Sequence, residues 1–241
     1  MNIDAADLHI HSTYSDGKTE LSQIVAIARA RGMAIGIADH CGPGTFQLET
    51  DAKFQRYFEA LQVYPVYRSV ELDLGRKITV SRENLERCDY LIGGIHSLDG
   101  RDFFDQSLTA FDIPKLLDGM LATIDKKARI FGFDILAHPG LLPVNLRSRQ
   151  AEILDAGWDE RLIGLALRHG FALEISSRWK LPLPSTIRRA KTAGVTFSFG
   201  SDAHHPEQVC DLEFSQDLAR QCGLAAADLF WPARQLAEKM A

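Results

Sequence analysis

The sequence predicts a single α/β domain of seven βα units, and three observations predict it. Short apolar runs rich in β-branched residues alternate with segments of helical period along all 241 residues. A composition of 46% hydrophobic and 24% charged residues, with 9 Pro and 18 Gly, is that of a globular chain able to bury its own core without disulfides. No internal repeat and no Ser/Gly/Pro linker divides the chain, so residues 1–241 read as one domain.

The expected strands follow in order. Asp7–Ser12 (DLHIHS) opens the chain, and Thr19–Arg31 follows as a helix with Leu21, Ile24, Val25, Ile27 and Ala28 on one apolar face. Ala34–His40, Val66–Leu74, Tyr90–His96, Ile135–His138, Ala172–Ser176 and Thr196–Asp202 complete the seven. Two helical stretches, Pro206–Cys222 and Ala225–Met240, close the chain, with Trp231-Pro232 marking a break or first turn. Cys41–Gln47 and Ser97–Phe104 are turn-rich loops directly after strands, the position that builds active sites in parallel barrels.

Charge and cysteine usage narrow the partners. The net charge of −5 contains no long run of one sign, which excludes a broad grip on nucleic acid or an anionic membrane. On charge alone an anionic substrate is disfavoured too. Cys41, Cys88, Cys210 and Cys222 form no CxxC pair, and the start MNIDAADLHIHS has no basic stretch followed by an apolar core. The expectation is a cytoplasmic protein with reduced thiols and no membrane span.

Chemistry gathers at the carboxyl ends of the strands. His9 and His11 lie on the first, His40 ends the second, His96 the fourth and His138 the fifth, while His204 and His205 follow the seventh. The third and sixth carry Glu71 and Glu174 instead. Singly, each has a structural reading as a turn residue, helix cap or surface charge. Together, buried imidazoles and carboxylates need compensating charge, and divalent cations supply it. His9 and His11 are two apart, so on a strand both face one side and can chelate one ion. Ser15-Asp16-Gly17 brings a carboxylate back over the mouth, and Asp202 and His204 share a face if the strand continues that far. Imidazole and carboxylate without thiolate indicate catalytic zinc, manganese, iron or cobalt. His169 reads as a helix C-terminal residue before Gly170.

These residues resemble the polymerase-and-histidinol-phosphatase (PHP) family of metal-dependent phosphoesterases. The motifs are Asp7–Gly17 (DLHIHSTYSDG), Ile37–His40 (IADH), Val70–Asp73 (VELD), Gly93–Ser97 (GGIHS), Leu136–Pro139 (LAHP) and Gly200–His205 (GSDAHH), in the family's order. The resemblance implies a distorted TIM-like barrel of seven βα units holding three divalent ions, zinc, manganese or iron. It implies His9, His11, Glu71 and Asp202 as ligands of one ion, and bridging Glu71 with His96 and His138 on a second. Asp16, His40 and His204 would hold the third. Arg178 lies just past the sixth strand, where some phosphatase members place a phosphate-binding arginine, and His205 is a further candidate for touching substrate. Glu174 falls outside this ligand set and is expected to orient it.

The implied reaction is hydrolysis of a small phosphomonoester by a metal-bridging hydroxide. Three dications set against the carboxylates of Glu71, Asp16 and Asp202 and one hydroxide leave positive charge for a phosphate dianion, reversing the inference from net charge. Asp202, His204 or a metal-bound water would protonate the leaving oxygen, and Asp16 completes the catalytic candidates. Amidohydrolase-type carbon–nitrogen hydrolases also begin with HxH, but usually bridge two metals through a carboxylated lysine on the fourth strand; here that strand ends in His96 and holds no lysine. A non-catalytic metal-stabilised module is the other alternative, and the complete ligand set argues against it. Substrate choice falls to the loops Cys41–Gln47, Ser97–Phe104 and Leu141–Arg149.

Overall fold

Apolar strands too short to be amphipathic on their own must bury both faces, one against helices and one against each other. A computed structural model, which describes residues 6–44 and 47–233, meets this demand with a barrel. In chain order its elements are β1 (Asp7–Ile10), α1 (Leu21–Ala30), β2 (Ile35–Cys41), α2 (Asp51–Leu61), β3 (Tyr67–Asp73), α3 (Arg82–Leu85) and β4 (Ile92–Gly94). A hairpin of β5 (Ser97–Leu98) and β6 (Arg101–Asp102) follows, then α4 (Ile113–Phe131), β7 (Ile135–Leu136), α5 (Gln150–Ile153) and α6 (Ala156–His169). The chain continues through β8 (Ala172–Ser176), α7 (Pro184–Ala193), β9 (Phe197–Gly200) and α8 (Glu213–Gln221).

Among the described residues, the parallel strands close in the order β1-β2-β3-β4-β7-β8-β9, with Asp7 of β1 pairing Phe199 of β9. The expected seven-unit α/β barrel is the observed fold. Helix ends follow local chemistry: Thr50, Asp112 and Asp155 accept bonds from Lys53, Lys115 and Trp158 N–H groups, and Gly132, Gly170 and Gly194 end α4, α6 and α7 in the left-handed region. No helix among the described residues is long and apolar enough to cross a membrane.

The barrel interior has two layers. Its floor is apolar: Ala6, Leu8, Ala38, Tyr67, Tyr90, Ile92, Ile135, Ala137 and Ala172 form one buried cluster. A Cβ at Gly36 would lie 1.9 Å from the Tyr90 hydroxyl oxygen, so only glycine lets that ring fill the floor. The mouth is polar. In β1 the register moves from Asp7 opposite Ile35 to Ile10 opposite Ile37, three steps against two. This bulge lets Leu8 join the floor while His9, its neighbour, joins the mouth.

Several expected boundaries shift. The fifth and seventh strands stop at Leu136 and Gly200, before His138 and Asp202, whose φ angles of 32° and 51° end the extended backbone. The expected continuous helix Pro206–Cys222 is instead a 3-10 turn at Pro206–Gln208 followed by α8, because Cys210 takes a positive φ of 60° and breaks it. Of the expected helix Ala225–Met240, Ala226–Asp228 is a 3-10 turn and Leu229 bridges to Phe197; residues 234–241 lie outside the described residues. The loop Ser97–Phe104 contains a hairpin whose turn, Asp99-Gly100, has both residues at positive φ, as a type I′ turn requires.

Candidate metal centre

Glu71, at the mouth end of β3 and 1% exposed, is the hub. Its Oε2 lies 2.9 Å from His40 Nδ1, 3.4 Å from His9 Nε2 and 3.7 Å from His11 Nε2. Its Oε1 lies 3.1 Å from His138 Nε2 and 3.3 Å from His96 Nε2. The two oxygens therefore serve two different sets of imidazoles. Gly94 makes this possible, since a Cβ there would sit 2.1 Å from Glu71 Oε1.

A second focus lies over the mouth. Asp16 Oδ2 is 3.2 Å from His204 Nε2 and 3.6 Å from His40 Nε2, and Asp202 Oδ1 is 3.2 Å from His11 Nε2 and 3.4 Å from His204 Nδ1. Asp16 reaches inward because Gly17 packs against the His11 carbonyl, where a Cβ would be 2.5 Å from that oxygen. All nine expected ligands thus converge. Groups close enough to share an ion are His9, His11 and Glu71; His11, Asp16, His40 and His204; and His40, Glu71 and His96. His40 reaches both foci, one ring nitrogen to each.

The donor set fits divalent cations. His9 Nε2 and His11 Nε2 face each other at 3.0 Å, and His96 Nε2 and His138 Nε2 at 3.2 Å, an arrangement of converging lone pairs. Glu71 Oε2, His11 Nδ1 and His40 Nδ1 are buried without a hydrogen bond. Such groups are costly unless an ion engages them. Electrostatics agrees. Burial raises the Glu71 carboxyl, but charge on His96, His9 and His40 outweighs it and holds the group well below its usual range. Burial lowers His9, and Glu174 and Glu71 carry it well above its ordinary value. His40 is carried to about 9 against its burial, chiefly by Glu71. His11, buried with His204 and His40 beside it, is pushed well down instead.

An outer ring of carboxylates holds the candidate ligands. Glu174 Oε1 is 2.6 Å from His9 Nδ1, and its Oε2 accepts the His138 backbone N–H at 2.7 Å, so one side chain holds two of the candidate ligands. Sequence reasoning missed the next two. Asp39 accepts from the Ser12 N–H at 2.8 Å, the Ser12 hydroxyl at 2.6 Å and the Ser15 hydroxyl at 2.5 Å, tying the Asp16 loop to β2. Asp7 accepts the Ser201 and Cys210 N–H groups, each at 2.9 Å, and burial pushes it up to about 6. Their only trace in the sequence is an acidic residue beside or inside an apolar run, which names no partner.

A cavity of about 440 Å³ opens beside the centre, lined on one side by Asp16, His40, His96, Asp202 and His204. Arg178 lines it too and donates to the Asp202 carbonyl at 3.1 Å, with its guanidinium against His204 Nδ1. His205 is exposed and outside that lining; its N–H donates to Gln208 at the start of the 3-10 turn. His169 pairs with Asp125 at 2.8 Å, far along the chain from the centre. Phe104 and Trp179 also line the cavity and were not singled out by sequence.

Residues 7–178 match the family model of the PHP domain. The chain belongs to the PHP family. It is 25% identical over 228 residues to the DNA polymerase/3'-5' exonuclease PolX of Bacillus subtilis, covering 89% of this chain but only 37% of that protein. It is 22% identical over 244 residues to a probable histidinol-phosphatase of Clostridium acetobutylicum, covering 90% of this chain and 94% of that one. In fold it is similar to the crystal structure of a Listeria monocytogenes protein described as a "putative histidinol phosphatase", with a TM-score of 0.69 at 13% identity over 87% of this chain and 98% of that one.

Proposed function

We propose that the chain is a single-domain, metal-dependent phosphomonoesterase whose mouth holds three divalent ions. The observation that carries this reading is Glu71, whose two carboxylate oxygens face separate imidazole sets, as a carboxylate bridging two ions would. His9, His11 and Asp202 complete one set, His96 and His138 the second, and Asp16, His40 and His204 the third. Zinc, manganese or iron bound there would supply Lewis-acid charge for the phosphoryl oxygens and lower the pKa of water.

The chain's own residues do the rest. Arg178 takes phosphoryl oxygens from the open side of the cavity. Asp16, Asp202 and His204 all line the cavity, and Asp202, His204 or bound water supplies the proton for the leaving oxygen. Glu174 fixes the His9 ring so that Nε2 points inward. The four cysteines are free thiols, which suits a reducing cytoplasm and a small phosphorylated substrate found there.

The test is metal analysis of the purified protein, followed by phosphate release from a panel of phosphomonoesters and diesters with added manganese or zinc. Bound divalent metal and cleaved monoesters are expected. Intact phosphoesters together with a cleaved amide or lactone would overturn the reading.

A further inference from the structure

The cavity has a second wall that phosphate chemistry leaves unexplained. Phe104, just after β6, is 45% exposed, and its ring centroid lies 5.8 Å from that of Trp179 and 6.2 Å from that of His96. The guanidinium of Arg147 lies 4.8 Å from both the Phe104 and Trp179 centroids. Arg147 does not line the cavity, so it backs the two rings from outside. Its Nε donates to the Leu142 carbonyl at 2.9 Å, which fixes it there, and among the described residues no carboxylate pairs with it. A half-buried arginine spent on two aromatic rings is a support for those rings.

The cavity's own cations are engaged. Arg76 lies 3.1 Å from Asp73 and 3.3 Å from Asp102, and Arg178 faces Asp202 and His204 at the metal centre. Beside the centre the cavity therefore offers two ring faces, and both arginines that line it are held by carboxylates rather than free to take a second anionic group.

We infer that the leaving group of the substrate is a planar aromatic ring without a second anionic group, seated against Phe104 and Trp179. Phe104 is the specificity-determining residue and Arg147 positions both rings. This inference rests on the phosphoesterase reading and adds the class of alcohol released.

Binding to the metal-loaded protein tests it without turnover. Calorimetry compares benzylphosphonate with cyclohexylmethylphosphonate, which has a similar outline but no flat π-face. Benzylphosphonate is expected to bind about fivefold more tightly, the scale of an aromatic contact. Phe104→Ala removes that advantage and leaves affinity for inorganic phosphate unchanged. Trp179 is a poorer probe because its indole N–H donates to Asp202 at 2.5 Å. Arg147→Met reduces the advantage, again at constant phosphate affinity, and Arg147→Lys restores part of it. Equal affinities, an advantage that survives Phe104→Ala, or no binding of either phosphonate would overturn the inference. Tighter binding of 4-carboxybenzylphosphonate than of benzylphosphonate would overturn the exclusion of a second anion. Failure of the phosphoesterase reading shows separately, as absence of phosphate release from every ester.

Discussion

The two ends of one barrel obey opposite rules. At the floor, Tyr90 fills the space above Gly36, its hydroxyl donates to the Leu8 carbonyl, and Phe230 packs beneath it with ring centroids 6.2 Å apart. The Tyr90 hydroxyl has its partner and the cluster around the ring is apolar, so this layer stabilises the fold. At the mouth, His9, His11, Glu71 and His138 are at most 2% exposed, yet their polar atoms meet one another. Burying such groups costs stability until a cation joins them. The β1 bulge marks the boundary, and it shows that one strand serves both rules by adding a residue rather than by changing its sequence character.

The sharpest way to break this contrast is to exchange charge for neutrality at the hub. Glu71→Gln is expected to lower phosphate release by roughly a thousandfold or more, since several kcal/mol of metal-borne stabilisation is lost. Metal content should fall with it, while the apo protein stays folded in circular dichroism. A variant that keeps full metal content and activity would remove Glu71 from the bridge. The converse experiment is at the floor. Tyr90→Ala leaves a cavity and an unpaired Leu8 carbonyl, and should cost about 3–5 kcal/mol in urea unfolding. Metal stoichiometry of the folded fraction should remain at the wild-type value; a loss of metal equal to that of Glu71→Gln would show that the layers are not independent.

A smaller effect probes the carboxylates behind the ligands. Glu174→Gln keeps a hydrogen-bonding side chain between His9 and the His138 N–H but removes its charge, and should weaken metal affinity or activity by about 10- to 100-fold. Titration with a metal indicator measures it, and an unchanged affinity would make Glu174 a packing group only. This residue also shows how far the sequence could be read. The seven-unit barrel and the convergence of the nine candidate ligands were legible because strand ends carry side chains to one place whatever the loops do. Asp39 and Asp7 were not, because a carboxylate that accepts backbone and serine hydrogen bonds has no spacing rule; only the folded loop gives it partners. The Phe104 and Trp179 wall was hidden for a similar reason, since its members come from separate loops and meet through Arg147. Cys210 was invisible as a helix breaker because its positive φ goes with a bond from its N–H to Asp7, a contact 203 residues away.

The smallest expected effect lies in neither layer and controls for both. On the outer helix α4, Asp125 Oδ1 is 2.8 Å from His169 Nε2, and Arg129 pairs with the same carboxylate. The His169 bond first, then the Arg129 bond, hold the Asp125 carboxyl down at about 2 against a usual 3.8. A carboxyl depressed in the folded state stabilises it above the unfolded value, and this contribution disappears as pH falls from about 4 through about 2. Asp125→Asn should therefore lower the melting temperature slightly at neutral pH, and the gap from the parent should close on acidification through that window. Because Asp125 and His169 are only half-buried and Arg129 is exposed, solvent screens the cluster and added salt should narrow the gap as well. Metal content and phosphate release at neutral pH should not move. If they do, the outer helices are coupled to the mouth, and the barrel's two interior layers are not the whole account of how its ends differ.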